Sequence, residues 1–253
     1  MKISSEKEME KLAGESWNKI FKLNGKEYVS SLNYLPELFA LFNKHNVKRV
    51  IDLGCGIGAH LIALAEQGFE VCGVDTSEEA IEIAASSFKE RGLTCDFRNT
   101  SMFDPLPLKG NSFDAVICFR ALNHAKIDDI RTSIREMERI LTPHGLIFIT
   151  VPAPWPGRKK KVSMIERTSG NVVSIQTNEP RTRIHLSGEE AGVVHYSFNM
   201  ALLKKEFEHF NILDLRIGDF KDLNSTRQVY YYTLIGEKKR EKELFRNGRN
   251  KIR

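Results

Sequence analysis

The chain has no apolar run that could cross a bilayer. Its longest, "AVICF" at 115–119 and "LIFITV" at 146–151, fall far short of a span of about 20 residues. The opening "MKISSEKEMEKLAGE" lacks the apolar core of a secretory signal. A soluble, cytoplasmic protein is therefore expected. Cysteine is scarce, and Cys55, Cys72, Cys95 and Cys118 have neither zinc-ligand nor redox spacing. They read as small thiols in or beside strands, in a reducing compartment, and no metal site is expected. There is no internal repeat. There is also no basic excess in the body of the chain. Of the net charge of +5, residues 237–253 hold eight Lys/Arg against three Glu, which leaves 30 residues of each sign elsewhere. That segment reads as a solvated basic tail.

What is present is alternation. With 253 residues, 41% of them hydrophobic, the chain can bury the core of an α/β domain. Residues 5–22 and 32–45 are patterned as helices. Leu35, Leu38, Phe39 and Phe42 recur at helical spacing and Pro36 suits a first turn. Residues 1–47 are thus expected to form an N-terminal helical cap. From residue 48, "KRVIDL", "FEVCGVD", "LTCDFRN", "SFDAVICF" and "GLIFITV" read as strands. Between them lie the helical segments "AHLIALAEQG", "SEEAIEIAASSFKERG" and "IDDIRTSIREMERIL", the second capped by Ser77 and stopped by Gly92. Strands alternating with helices imply a doubly wound, mostly parallel sheet covered on both faces. Ligands of such sheets bind at the carboxyl ends of the strands.

Beyond Val151 the rhythm changes. "NVVSIQT" and "RTRIHLS" around "NEPR" predict a hairpin inside an inserted lid, 152–198. Asn199 can cap "MALLKKEFEHF". "ILDLRIGDF" and "RQVYYYTLIG" are joined too tightly for a helical crossover and are expected to pair antiparallel. The main domain is placed at 48–236.

The chemistry concentrates in "VIDLGCGIGAH", Val50 to His60. Gly54-x-Gly56-x-x-Ala59 fits a dinucleotide loop, whereas Gly54-x-Gly56-x-Gly58 fits a loop that holds S-adenosylmethionine. Asp52 favours the second. A carboxylate beside the loop repels pyrophosphate but neutralises an ammonium, and such a charge-assisted bond contributes about 1.5–3 kcal/mol. Asp75 ends the second strand and can accept ribose hydroxyls, a device common to both cofactors.

The order "VIDLGCGIGAH…VCGVDTSEEAIEIA…SMFDPLPLKGNSFDAVICFRALNH…IREMERILTPHGLIFIT" resembles class I S-adenosylmethionine-dependent methyltransferases over about residues 48–151. The resemblance implies a seven-stranded sheet of order 3-2-1-4-5-7-6 with an antiparallel terminal strand. It implies Asp52 and Gly54 at the methionine end and Asp75 on the ribose, with Cys55, Gly56, Gly58 and Thr76 also among the cofactor-binding residues. Ser101 and Met102 would lie at the adenine, and the backbone of Cys118 and Phe119 at the methionine portion. Ser101 stands where the family commonly carries an acid, and its hydroxyl can still accept the adenine amino group.

Methyl transfer is an in-line displacement that needs alignment first and a general base only for a protonated acceptor. His124, after the fourth strand, and His195 and Tyr196, in the insert, are the candidates for catalytic groups, with Trp17 and Trp155 as walls. No Asn-Pro-Pro-aromatic signature is present. A small-molecule acceptor ranks first. RNA ranks second, through "RKKK" at 158–161 and the tail, and a protein side chain third. The competing readings are an NAD(P)-dependent oxidoreductase, which lacks a Tyr-x-x-x-Lys pairing here, and a non-catalytic binding module.

Overall fold

The alternating segments resolve, in a computed structural model, into two sheets and their covering helices. Residues 15–23, 25, 32–154, 165–168, 172–185, 187–188, 190–221 and 228–239 are described. Trp155, the "RKKK" run, residues 5–14 of the first expected helix and the tail from 240 onward lie outside them.

The elements run α1 (15–23), α2 (Leu35–Lys44), β1 (Arg49–Leu53), α3 (Ala59–Glu66), β2 (Glu70–Asp75), α4 (Glu78–Glu90), β3 (Asp96–Asn99) and β4 (Phe113–Phe119). Then follow α5 (Ile127–Ile140), β5 (Leu141–Pro152), β6 (Ile165–Thr168), β7 (Val172–Gln176), β8 (Thr182–His185), β9 (Val194–Tyr196), α6 (Met200–Glu206), β10 (Phe210–Lys221) and β11 (Gln228–Lys238). Local chemistry sets several of these ends. Ser77 Oγ accepts from Ala80 N at 3.1 Å to cap α4, and Asn199 Oδ1 accepts from Leu202 N at 2.8 Å to cap α6.

The large sheet has the order β10-β11-β5-β4-β1-β2-β3. Strands β1 to β5 are parallel to one another, and β11 runs against both its neighbours, β5 and β10. This is the order 3-2-1-4-5-7-6, counting only the strands of this sheet. Alternation along each strand sorts the two faces. Val50, Ala115, Ile117 and Phe148 pack with Leu38, Phe42, Leu61 and Leu64 of α2 and α3. Ile51, Leu53, Val116 and Ile149 pack with Ile130, Ile134 and Met137 of α5 and Leu203 of α6.

The second sheet, β6-β7-β8-β9, is antiparallel throughout. The expected hairpin supplies its two central strands, and β6 and β9 flank them. β9 joins the main domain where Tyr196 N donates to Asn123 O at 2.7 Å.

Three boundaries differ from the sequence reading. β3 starts at Asp96 rather than Leu93. β5 starts at Leu141, directly after α5, rather than at Gly145. The tail boundary at 237 is two residues early, because Glu237 pairs with Leu146 and Lys238 with Phe210 in the ladder. Side chains secure that extension. Glu237 Oε1 lies 3.0 Å from His144 Nδ1, and Lys238 Nζ donates to Leu141 O at 2.7 Å. Among the described residues no helix is long and apolar enough to cross a membrane.

Candidate active site

β1 delivers Asp52 to the carboxyl end of the sheet, opposite Gly73 of β2 and Ile117 of β4. The chain then turns through the glycine loop. Gly54 N and Cys55 N both donate to Val74 O, at 2.8 and 3.0 Å, which pins the loop to the end of β2. Gly54 has φ +78°, and a Cβ placed there would stand 2.3 Å from Ala121 Cβ. Glycine is therefore required twice over, for the backbone angle and for the close approach of the segment after β4. Gly56 and Gly58 also take positive φ, and Gly58 leads into α3.

Asp52 is 1% exposed and its Oδ1 has no hydrogen-bond partner. Burial, and then the nearby Asp75, push its carboxyl well above the usual range. An unsatisfied buried oxygen is costly, and a donor arriving with a ligand would relieve it. The site therefore fits a group that brings an ammonium to the loop. Asp75 is half-buried, and both its oxygens already accept backbone amides, from Gly56 N at 2.8 Å and Ser77 N at 2.9 Å. These bonds orient the carboxylate, and each oxygen keeps a further lone pair for a hydroxyl.

The remaining loop residues are less open. The Cys55 thiol is buried and lies 3.6 Å from Gly56 O. Burial, Asp75 and Asp52 hold its pKa well above the usual thiol value, so it stays protonated. Thr76 is exposed. Ser101 Oγ accepts from Phe103 N at 3.1 Å, a local turn that leaves its O–H to donate. Met102 is buried, and its sulfur would stand 3.8 Å from a Cβ on Gly54. The Phe119 ring stacks on His60 at 4.2 Å inside the core, so only its backbone can meet a ligand.

Helix α1 lies across this loop. Phe21 packs with Ile57 and Ala80, and its Cζ would be 3.2 Å from a Cβ on Gly56. Asn18 Oδ1 accepts from Ser77 Oγ at 2.7 Å. Trp17 contacts both Phe21 and, at 5.1 Å between ring centroids, His124. Trp17, the expected wall residue, thus links the helix over the glycine loop to His124.

On that side the segment after β4 turns sharply. Arg120 takes φ +56° while its N donates to Thr150 O at 2.9 Å. His124 N then donates to Ala121 O at 3.0 Å. The His124 ring meets His195 of β9 edge to face, with centroids 5.0 Å apart. His195 stacks at 3.9 Å on His185 of β8. Glu190 completes the group, with Oε2 3.1 Å from His195 Nε2 and 3.6 Å from His185 Nδ1. Burial, with His195, His185 and Arg120 nearby, pushes His124 down to about 3. Burial opposes ionisation of Glu190, but His195, His124 and His185 together hold it down at about 2. The structure thus brings His124 and His195 together. It does not bring Tyr196 to them. Tyr196 is 8% exposed and packs in the core against Phe198, on the opposite side of β9 from its neighbour. Glu190 and His185 are members of the group that no sequence motif marks.

The sequence and the fold both have relatives among known proteins. Residues 50–145 match the family model described as a methyltransferase domain. A ubiquinone biosynthesis O-methyltransferase from Actinobacillus pleuropneumoniae is 32% identical over 107 residues, which is 41% of this chain and 45% of that protein. The putative methyltransferase YqeM of Bacillus subtilis is 38% identical over 109 residues, 41% of this chain and 42% of that one. The chain therefore aligns with less than half the length of these curated relatives. Among solved structures, 1,6-didemethyltoxoflavin-N1-methyltransferase of Burkholderia thailandensis, with 1,6-didemethyltoxoflavin and S-adenosylhomocysteine bound, superposes with a TM-score of 0.69 at 15% identity. That superposition covers 95% of this chain and 93% of the other and extends the shared fold beyond the aligned sequence. Residues 50–145 therefore match a methyltransferase domain, and the chain as a whole shares its fold with that solved methyltransferase.

Proposed function

We propose that this chain transfers a methyl group from S-adenosylmethionine to a small-molecule acceptor. The observation that carries the reading is the buried Asp52 carboxyl, whose Oδ1 is left without a partner at the glycine loop. S-adenosylmethionine supplies, when bound, an electrophilic methyl on a sulfonium and an ammonium to meet that carboxyl. Gly54, Cys55, Gly56 and Gly58 let the backbone approach the ligand. Asp75, oriented by Gly56 N and Ser77 N, receives the ribose beside Thr76. Ser101 and Met102 border the adenine, and the backbone at Phe119 borders the methionine portion. Helix α1 covers the loop and excludes water from it.

The acceptor binds on the side of His124 and His195. The segment 121–124 touches Gly54 at one end and the histidine group at the other. Acceptor and donor are therefore aligned by one short turn, and alignment supplies about 7–11 kcal/mol of such a barrier. A small acceptor is supported by the named relatives, an O-methyltransferase of ubiquinone biosynthesis and an N1-methyltransferase seen with its small substrate.

Calorimetry with S-adenosylhomocysteine tests the reading. Binding at one site per chain is expected. A well-folded protein that takes up none of it overturns the proposal.

A further inference from the structure

We propose that His124, Glu190 and His195 form a binding site for one divalent transition-metal ion on the acceptor side of the domain. One ligand atom from each lies within 4.8 Å of the others, and all three side chains are half-buried. Two imidazoles and a carboxylate form the donor set of known zinc sites, and also of ferrous sites with open positions. Closing to a tetrahedral shell at about 2.0–2.1 Å needs ligand atoms roughly 3.4 Å apart. Glu190 Oε2 and His195 Nε2 already stand 3.1 Å apart, so any remaining contraction falls on the approach of His124.

His195 Nε2 is buried and lies 3.1 Å from Glu190 Oε2, so the carboxylate already faces the ring nitrogen. A buried ring nitrogen and a carboxylate facing it, with a second imidazole beside them, can share one cation. The backbone positions them beforehand. Tyr196 N bonds Asn123 O at 2.7 Å, which fixes the neighbouring His195 and His124 relative to each other. The Glu190 loop is closed by Gly192 N to His185 O at 2.7 Å and Val193 N to Glu190 O at 3.0 Å, and Ser16 Oγ of α1 donates to Ala191 O at 2.5 Å. His185, 3.6 Å from Glu190 Oε2, stands behind the carboxylate as its positioning partner.

Three protein ligands leave open coordination positions. Glu190 supplies one negative charge, so a divalent ion keeps net positive charge and suits an acceptor with an ionisable oxygen or nitrogen. This last step rests on the methyl-transfer reading. The metal site itself does not.

The test uses the full chain, stripped with chelator and then titrated with Zn²⁺ by calorimetry and with Co²⁺ by visible absorption. One ion per chain is expected, with the absorption of a low-symmetry Co²⁺ site. His195→Ala and Glu190→Gln should abolish it, and His185→Ala should weaken it about 10- to 100-fold. Each variant should keep the wild-type circular dichroism and S-adenosylhomocysteine affinity. Absence of Zn²⁺ and Co²⁺ binding in folded wild type overturns the proposal, as does binding that the His195→Ala and Glu190→Gln variants retain. Metal binding without S-adenosylhomocysteine binding would instead overturn the methyl-transfer reading and leave this one standing.

Discussion

The amide of Tyr196 donates to the carbonyl of Asn123 at 2.7 Å, and that bond splices the small sheet onto the turn after β4. Because successive strand residues point to opposite sides, the splice sends Tyr196 into the core and His195 toward His124. The hydroxyl of Tyr196 therefore has no part in the histidine group. Tyr196→Phe should retain wild-type kcat and KM. Tyr196→Ala should cost about 3–5 kcal/mol, as large aromatic truncations do, read from denaturant unfolding. A large loss of kcat in Tyr196→Phe would return the residue to the chemistry.

Asp52→Asn should separate stability from binding. Burial raises the folded-state pKa of Asp52 above its unfolded value. The stability linked to this group is then complete below the unfolded pKa, near 3.8, and is lost as pH rises through the folded pKa. Asn mimics the protonated form and escapes that loss. At pH 7 the ligand-free variant should melt higher, at about 2–4 °C per kcal/mol for a domain of this size. S-adenosylhomocysteine affinity should fall roughly 10- to 150-fold with the lost charge-assisted bond. Scanning calorimetry and titration calorimetry read the two effects. A variant that melts lower and binds normally contradicts the assignment.

Gly54→Ala should fail for steric reasons. The added methyl meets Ala121 Cβ at 2.3 Å in a backbone of φ +78°. Either the loop or the turn after β4 must move, at about 1–3 kcal/mol. Ligand binding should drop below detection while the far-ultraviolet circular dichroism stays native. Normal affinity in this variant would mean that the loop and the turn are looser than their contact indicates.

Phe21→Ala should loosen α1 without melting the sheet. Phe21 is 5% exposed and belongs to a small cluster with Ile57 and Ala80, apart from the two main cores. Hydrogen exchange should accelerate across residues 15–23 and leave β1, β4 and β5 protected. S-adenosylhomocysteine should dissociate faster. Uniform loss of protection across the sheet would instead make α1 part of the global folding unit.

Much of this fold is written in local pattern. Short apolar runs bounded by glycine mark β1, β2, β4 and β5, and the capping side chains of Ser77 and Asn199 mark the starts of α4 and α6. β6 is not legible, because "IERT" is four residues of mixed polarity with no alternation to detect. The sheet order follows from family resemblance, since strand pairing is a long-range property. The histidine group is legible only in part. His124 stands out by its place after β4, but Glu190 lies 66 positions later in a polar loop, and only tertiary contact brings the two together. Placing Tyr196 beside His195 overlooks the alternation within a strand, a rule available from sequence alone.

The position of β11 bears on how the protein is made. Residues 228–238 form the strand that lies between β5 and β10, so β10, translated earlier, has no partner in the sheet until β11 has left the ribosome. Until then β5 presents an apolar open edge of Leu146, Ile147, Phe148 and Ile149, the kind of edge that recruits other chains. Slow translation or a pause between residues 221 and 228 would prolong that exposure, and yield in the cell would depend on how quickly a single late strand threads into place.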